Sequence, residues 1–129
     1  MFEGTLILNI LAGFLSALFI FFSSIKIFGW QKQIFETQMQ FMHKYGLNRI
    51  LYGCIGIIEM TSAIMLMFQG TIFGALGALG IATTSLGAIF FHTRYDTFKD
   101  MVPAIITLTI SVTILYLNQD LIMEFISLI

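Results

Sequence analysis

Residues 50–68 read ILYGCIGIIEMTSAIMLMF, an apolar run with a single carboxylate, Glu59, at its centre. As a helix this run would extend roughly 28 Å, which is about the hydrocarbon thickness of a bilayer. Glu59 would then lie near the bilayer midplane, where a charged side chain costs about 3 kcal/mol even on the mildest insertion scales. The run therefore predicts a membrane-spanning helix whose carboxylate needs polar partners from elsewhere in the chain.

The composition places the whole chain in the membrane class. Of its 129 residues, 58% are hydrophobic and only 10% are charged, too few to cover the surface of a soluble domain. The six basic residues are too few and too dispersed for a nucleic-acid interface. The single cysteine, Cys54, excludes an internal disulfide and a cysteine-based metal site. The expected partner is the lipid bilayer.

Four apolar runs predict an all-α fold, an integral membrane four-helix bundle formed by one domain, 1–129. The spans are expected at residues 5–28, 50–68, 72–91 and 102–117. The first run has no basic segment before it and is too long for the apolar region of a signal peptide, so we expect it to span. Pro103 would lie in the first turn of the fourth span, where proline is tolerated. The remaining tail is too short to cross a bilayer.

A polar connection, residues 29–49, separates the first two spans. Its apolar residues recur at intervals of three and four, which predicts a short helix lying in the membrane interface. Trp30 and Tyr45 are residue types found at the headgroup level. This helix is either a peripheral amphipathic element or a lid over a site between the spans.

The distribution of basic residues predicts the orientation of the chain. All of them fall at the end of the first span or in the first and third connections, and none in the N-terminus, the short hairpin or the tail: Lys26, Lys32, Lys44, Arg49, Arg94 and Lys99. By the positive-inside rule both basic loops are cytoplasmic and both termini lie outside.

This topology brings several candidate ligand-binding residues to one end of the bundle. Lys26 and Trp30 follow the first span, Arg49 begins the second and His92 ends the third, with Glu59 about two and a half turns deeper. A carboxylate in the membrane beside a lysine or histidine can bind a proton or hold the polar head of a lipid-like ligand. Alternatively, such a pair only fixes the registry of the helices. No catalytic residue and no metal ligand set is predicted.

The chain contains SSIKIFGWQ at 23–31, YGCIGIIEM at 52–60 and LGAIFFHTRYD at 86–96, ahead of a last apolar span. This order resembles the DoxX-like family of small four-helix membrane proteins over roughly residues 10–117. The family marks are a lysine ending the first span, a glycine three residues before a glutamate in the second, and small residues before a histidine in the third. Here they are Lys26; Gly56 with Glu59; and Gly87, Ala88 and His92.

The resemblance implies a bundle in the bacterial cytoplasmic membrane. Relatives accompany thiosulfate:quinone oxidation or membrane-bound oxidative-stress complexes, and a distant animal branch assists receptor assembly. Three functions are therefore open. The favoured one is an accessory protein or subunit of a membrane redox system, with a quinone-type or lipid-like ligand near Glu59. The others are a scaffold or assembly factor without a ligand, and a small proton-coupled transporter. A membrane protein partner and a homodimer are both compatible with these functions. The glycine-rich third span would serve a dimer as well as the bundle.

Overall fold

Six helices account for most of residues 2–129. The computed structural model describes the backbone of residues 2–129 and the side chains of residues 6–129. Within that range the fold is all-α, without a strand, and the helices are α1 Phe2–Phe28, α2 Lys32–Lys44, α3 Arg49–Leu66, α4 Ile72–Tyr95, α5 Phe98–Leu117 and α6 Gln119–Leu128. Of these, α1, α3, α4 and α5 are long and apolar enough to cross a membrane.

The last two long helices begin or end differently from the apolar runs. α4 continues to Tyr95, about one turn beyond the expected end of the third span, and α5 begins at Phe98 rather than at 102. The Asp100 carboxylate accepts the backbone N–H of Thr97 at 3.3 Å, which starts α5 a turn early. The expectation that Pro103 lies in the first turn was therefore wrong: it lies inside α5.

The four long helices enclose one core. α1 packs against α3 and α5, and α4 packs against the same two helices. The buried core side chains come from all four: Ala12, Leu15, Leu66, Ala78, Ile81 and Ile114. α6 lies against α4 and α5, whereas α2 touches α1 and α3 and has no buried residue.

A small-residue contact fixes how α3 and α4 face each other. A Cβ atom added at Gly77 would lie 2.5 Å from both the Ser62 carbonyl oxygen and the Leu66 backbone nitrogen. The two backbones are therefore in direct contact, as small residues permit between membrane helices. Because the helices are antiparallel across a short turn, and Gly77 faces the chain between Ser62 and Leu66, this contact sets Glu59 level with about residue 82 of α4.

Candidate functional site

The carboxylate of Glu59 lies between α1 and α3, where it forms an ion pair with the ammonium group of Lys26. The two side chains are 7% and 16% exposed, respectively. A charge in such surroundings is costly unless it is paired, so Lys26 supplies the partner that Glu59 requires. Within residues 6–129 this is the one hydrogen bond of either group. Two N–H groups of Lys26 and one oxygen of Glu59 therefore keep unused hydrogen-bonding capacity.

Gly56 explains why α1 comes close enough for this ion pair. A Cβ atom at position 56 would lie 2.8 Å from the Cβ of Lys26 and 3.3 Å from the carbonyl oxygen of Ser23. Gly56 precedes Glu59 by three residues, so both occupy the same face of α3. The glycine thus admits α1 at the point where the carboxylate faces it.

Tyr52 connects the ion pair to α2. Its side chain is fully buried, and Nζ of Lys26 lies 5.8 Å from the centroid of its ring, a cation–π distance. The Tyr52 hydroxyl donates a hydrogen bond to Oε1 of Gln38 on α2. The ring of Phe35, also on α2, packs against Tyr52 with centroids 5.8 Å apart. The residues from Lys26 to Gln38 therefore form one continuous set of contacts.

Arg49 and Trp30 lie near the same end of the helices as Lys26, but their side chains form hydrogen bonds to other residues of α1. Nη2 of Arg49 donates to the carbonyl oxygen of Ile27 at 2.7 Å. Nε1 of Trp30 donates to Oγ of Ser24 at 3.0 Å. Neither side chain makes a hydrogen bond to the ion pair among the described residues. Both stabilise the segment where α1 ends.

His92 does not join Glu59. Its Nδ1 lies 2.8 Å from Oδ2 of Asp96 and 3.1 Å from the hydroxyl of Tyr45. Because Glu59 lies level with about residue 82 of α4, His92 is about 15 Å from it along the helix axis. The contact between His92 and Glu59 that the sequence suggested is therefore absent from the described structure. The physical reason is that Asp96, four residues on, offers His92 a carboxylate one turn away.

Lys44, Tyr45, His92 and Asp96 form a second polar group, here called the Asp96 cluster. The Asp96 side chain is 0% exposed, and it accepts hydrogen bonds from Lys44 and from the hydroxyl of Tyr45 in addition to its contact with His92. Burial opposes ionisation of Asp96, but these bonds outweigh it and lower its pKa from 3.8 to about 2. Burial, followed by the bond to Asp96, raises the pKa of Tyr45. The cluster attaches the end of α2 to the end of α4.

Sequence reasoning missed five residues that the structure places in these contacts: Gln38, Lys44, Tyr45, Tyr52 and Asp96. For two of them, the spacing in the sequence could have indicated the contact. Tyr52 lies seven residues before Glu59, on the same helix face, and Asp96 lies four residues after His92. No sequence pattern indicated the contacts of α2 with α3 and α4, because these contacts depend on the path of the connections on either side of α2.

Two surface grooves lie outside the ion pair. One, of about 370 Å³, runs along α2 and is lined by Gln33, Ile34, Thr37, Gln38 and Phe41. The other, of about 260 Å³, is wholly apolar and lies between α4, α5 and α6. Gln38 both lines the first groove and accepts the Tyr52 hydroxyl. Gln38 is therefore the residue shared by the first groove and the contacts that lead to the ion pair.

A model of the DoxX-like family matches residues 10–114, which include most of α1, all of α2, α3 and α4, and most of α5. Neither the curated proteins nor the solved structures give a match. The matched range contains the ion pair, the glycine that admits α1 and the whole Asp96 cluster. This chain is an integral membrane protein that belongs to the DoxX-like family.

Proposed function

We propose that this protein binds the polar head of a quinone-type or lipid-like amphiphile at the ion pair of Lys26 and Glu59. In this proposal it serves as an accessory protein or subunit of a membrane redox system, either quinone-linked or protective against oxidative stress. The observation that carries the proposal is a nearly buried ion pair within apolar helices that keeps unused donors and an unused acceptor.

The chemistry of the pair suits a head group whose oxygens are carbonyls in one redox state and hydroxyls in the other. A quinone carbonyl would accept a hydrogen bond from Lys26, and the hydroxyl of a quinol would donate to Glu59. A lipid phosphate or ester would use the lysine alone. Such charge-assisted bonds are stronger than neutral ones, and more so away from water. The apolar tail would lie in the surrounding bilayer.

The proposed setting is a four-helix bundle in the bacterial cytoplasmic membrane. α2 would lie in the cytoplasmic interface, which its lack of buried residues supports. The asymmetry of basic residues supports cytoplasmic basic loops and external termini. Arg49 and Trp30 would border the entrance at the headgroup level. His92 is left out of the proposed site because its Nδ1 already contacts Asp96.

Binding can be measured through Trp30, the single tryptophan of the chain, which follows Lys26 by about one turn. The protein is purified in lipid nanodiscs and titrated with a short-chain ubiquinone, a quencher of indole fluorescence. We expect saturable quenching in the wild type. Lys26→Gln and Glu59→Gln should each weaken the affinity about tenfold, since each removes a hydrogen bond to a charged group.

The matched controls are Lys99→Gln and Glu124→Gln, which change the same residue types at exposed positions. Both should bind the quinone like the wild type. Quenching that does not saturate, or that is equal in all five proteins, contradicts the proposal. Mass spectrometry of lipids that copurify with the wild type and with Lys26→Gln distinguishes a lipid from a quinone as the natural ligand.

A ligand-free scaffold is the second candidate. Two observations favour it. α1 packs closely on Gly56, and neither groove described above reaches Glu59. In that case the ion pair fixes the registry of α1 and α3. Glu59→Gln would then alter stability while leaving attachment to a membrane protein partner intact.

A further inference from the structure

α2 is attached to the rest of the protein at few points. It has no buried residue, and its contacts concentrate at two places. Near its middle, Phe35 and Gln38 meet Tyr52 of α3. At its end, Lys44 and the adjacent Tyr45 bond to Asp96. An element with so few buried contacts belongs to the least stable part of a structure, the part that opens locally.

Glycines flank α2 on both sides. Gly29 and Gly46 have φ angles of 66° and 84°, which lie in the left-handed region that glycine adopts without strain. A Cβ atom at Gly46 would meet no atom within 4 Å, so the chain there has room to change direction. Short connections of this kind commonly absorb the backbone changes of a hinge.

The contact between Tyr52 and Gln38 links the surroundings of the ion pair to α2. Tyr52 is fully buried beside Lys26, whereas Gln38 lines the groove of about 370 Å³. Movement of Gln38 away from Tyr52 would uncover the Tyr52 hydroxyl and the side of the ion pair that Tyr52 contacts. The Asp96 cluster holds the other end of α2 with three hydrogen bonds, from Lys44 to Asp96, from Tyr45 to Asp96 and between Tyr45 and His92, so that end is attached more firmly.

We propose that α2 is a lid over the ion pair of Lys26 and Glu59, held closed by the hydrogen bond from Tyr52 to Gln38 and anchored by the Asp96 cluster. The role of the lid in ligand entry rests on the proposed function, although its movement does not. When α2 lifts, the Tyr52 hydroxyl loses its acceptor and can donate to a ligand oxygen beside Lys26. The site then selects a head group with at least two acceptor oxygens, such as the two carbonyls of a quinone.

The movement can be measured without any ligand. Spin labels are attached to Glu36→Cys on α2 and Lys99→Cys on α5, both exposed positions, in a Cys54→Ser background. Pulsed electron paramagnetic resonance gives the distribution of distances between the labels. We expect one narrow main population in this parent protein. Tyr52→Phe should increase a second population, at a different distance, about two- to tenfold, because one hydrogen bond of the closed state is lost.

A second variant keeps the test valid if Tyr52→Phe misfolds at the buried site. Gln38→Leu removes the acceptor from the α2 side without changing a buried residue, and it should increase the second population by a similar factor. The matched controls are Tyr116→Phe, on an exposed tyrosine of α5, and Gln40→Leu, on an exposed glutamine of α2. Both should keep the parent distribution. If the distance distribution is unchanged in both Tyr52→Phe and Gln38→Leu, the proposal that α2 is a lid is wrong.

Ligand entry is a separate measurement. In stopped-flow quenching of Trp30 by the short-chain ubiquinone, Tyr52→Phe should raise the association rate constant by the same factor as the open population. If Lys26→Gln binds the quinone as well as the wild type does, the proposed function is wrong. The spin-label distances then still decide whether α2 moves as a lid. If Lys26→Gln loses binding but neither Tyr52→Phe nor Gln38→Leu moves the labels, the lid alone is wrong.

Discussion

Gly56 of α3 lies directly against Lys26 of α1, and the carboxylate that pairs with this lysine follows the glycine by three residues. The close approach and the ion pair therefore depend on each other. A side chain at position 56 would meet the Cβ of Lys26, an atom that cannot move away by rotation of a flexible end. The two helices would have to separate, which would draw the ammonium group away from Glu59.

Gly56→Ala should lower the free energy of unfolding by about 1 to 3 kcal/mol, the usual cost of overpacking a tight contact. Reversible unfolding in mixed detergent micelles measures this change. Gly13→Ala is the control, because a Cβ atom at Gly13 meets no atom within 4 Å, and it should be nearly neutral. Equal stability of the two variants would contradict the coupling of close packing to the ion pair.

The ion pair itself can be tested by removing one partner and then both. Lys26→Met leaves Glu59 nearly buried without a counter-charge and should cost about 3 to 5 kcal/mol of unfolding free energy. The double variant Lys26→Met, Glu59→Met replaces both charges by apolar groups, so most of that loss should be recovered. Lys32→Met, at an exposed position, is the control. A double variant no more stable than Lys26→Met would mean that the two groups do not compensate each other.

How well the sequence predicts each feature of this structure depends on how far apart in the sequence the interacting residues lie. Apolar runs indicate the four long helices directly, and a glutamate within one of them requires a polar partner, for which Lys26 and His92 were the predicted candidates. The choice between these two depends on local geometry: His92 has a carboxylate four residues away, whereas Lys26 does not. The attachment of α2 to Asp96 was not predictable, because Lys44 and Asp96 lie far apart in sequence and no periodicity relates them.

The contact of α4 with α5 includes a hydrogen bond between two hydroxyl groups within the apolar helices. Oγ of Ser85 lies 2.7 Å from Oγ1 of Thr107, and both residues are buried. Thr107→Val keeps the shape but removes the bond, so it should lower the unfolding free energy by about 0.5 to 1.5 kcal/mol. Thr109→Val is the control, since Thr109 is exposed and bonds to the backbone of its own helix. Equal effects at 107 and 109 would show that the contact between the helices contributes nothing.

The orientation can be measured with single cysteines in a Cys54→Ser background. Thr71→Cys lies in the short turn between α3 and α4, and Gln40→Cys lies on the exposed side of α2. In intact bacterial cells a membrane-impermeant maleimide should label residue 71 and leave residue 40 unlabelled until the membrane is opened. This follows from the concentration of basic residues in the loops predicted to be cytoplasmic. The reverse pattern would invert the proposed topology.

The Asp96 cluster predicts how the attachment of α2 depends on pH. Because the pKa of Asp96 is lowered from 3.8 to about 2, the stabilisation from its ionised form is complete above about pH 4 and is lost as the pH falls towards 2. The pKa of Tyr45 is raised from 10.0, so its contribution is complete below about pH 10 and is lost at higher pH. The attachment should therefore be strongest between about pH 4 and pH 10.

The distance between spin labels at 36 and 99, followed from pH 6 to pH 2, tests the acid side of this prediction. In the parent protein the population with α2 displaced should rise as the pH falls below about 4. Asp96→Asn removes the titrating group, so its distances should differ from the parent at pH 6 and change little in acid. Asp120→Asn, at an exposed position on α6, should behave like the parent. If Asp96→Asn keeps the full acid response, another carboxylate is responsible, and the Asp96 cluster is not what holds α2 in acid.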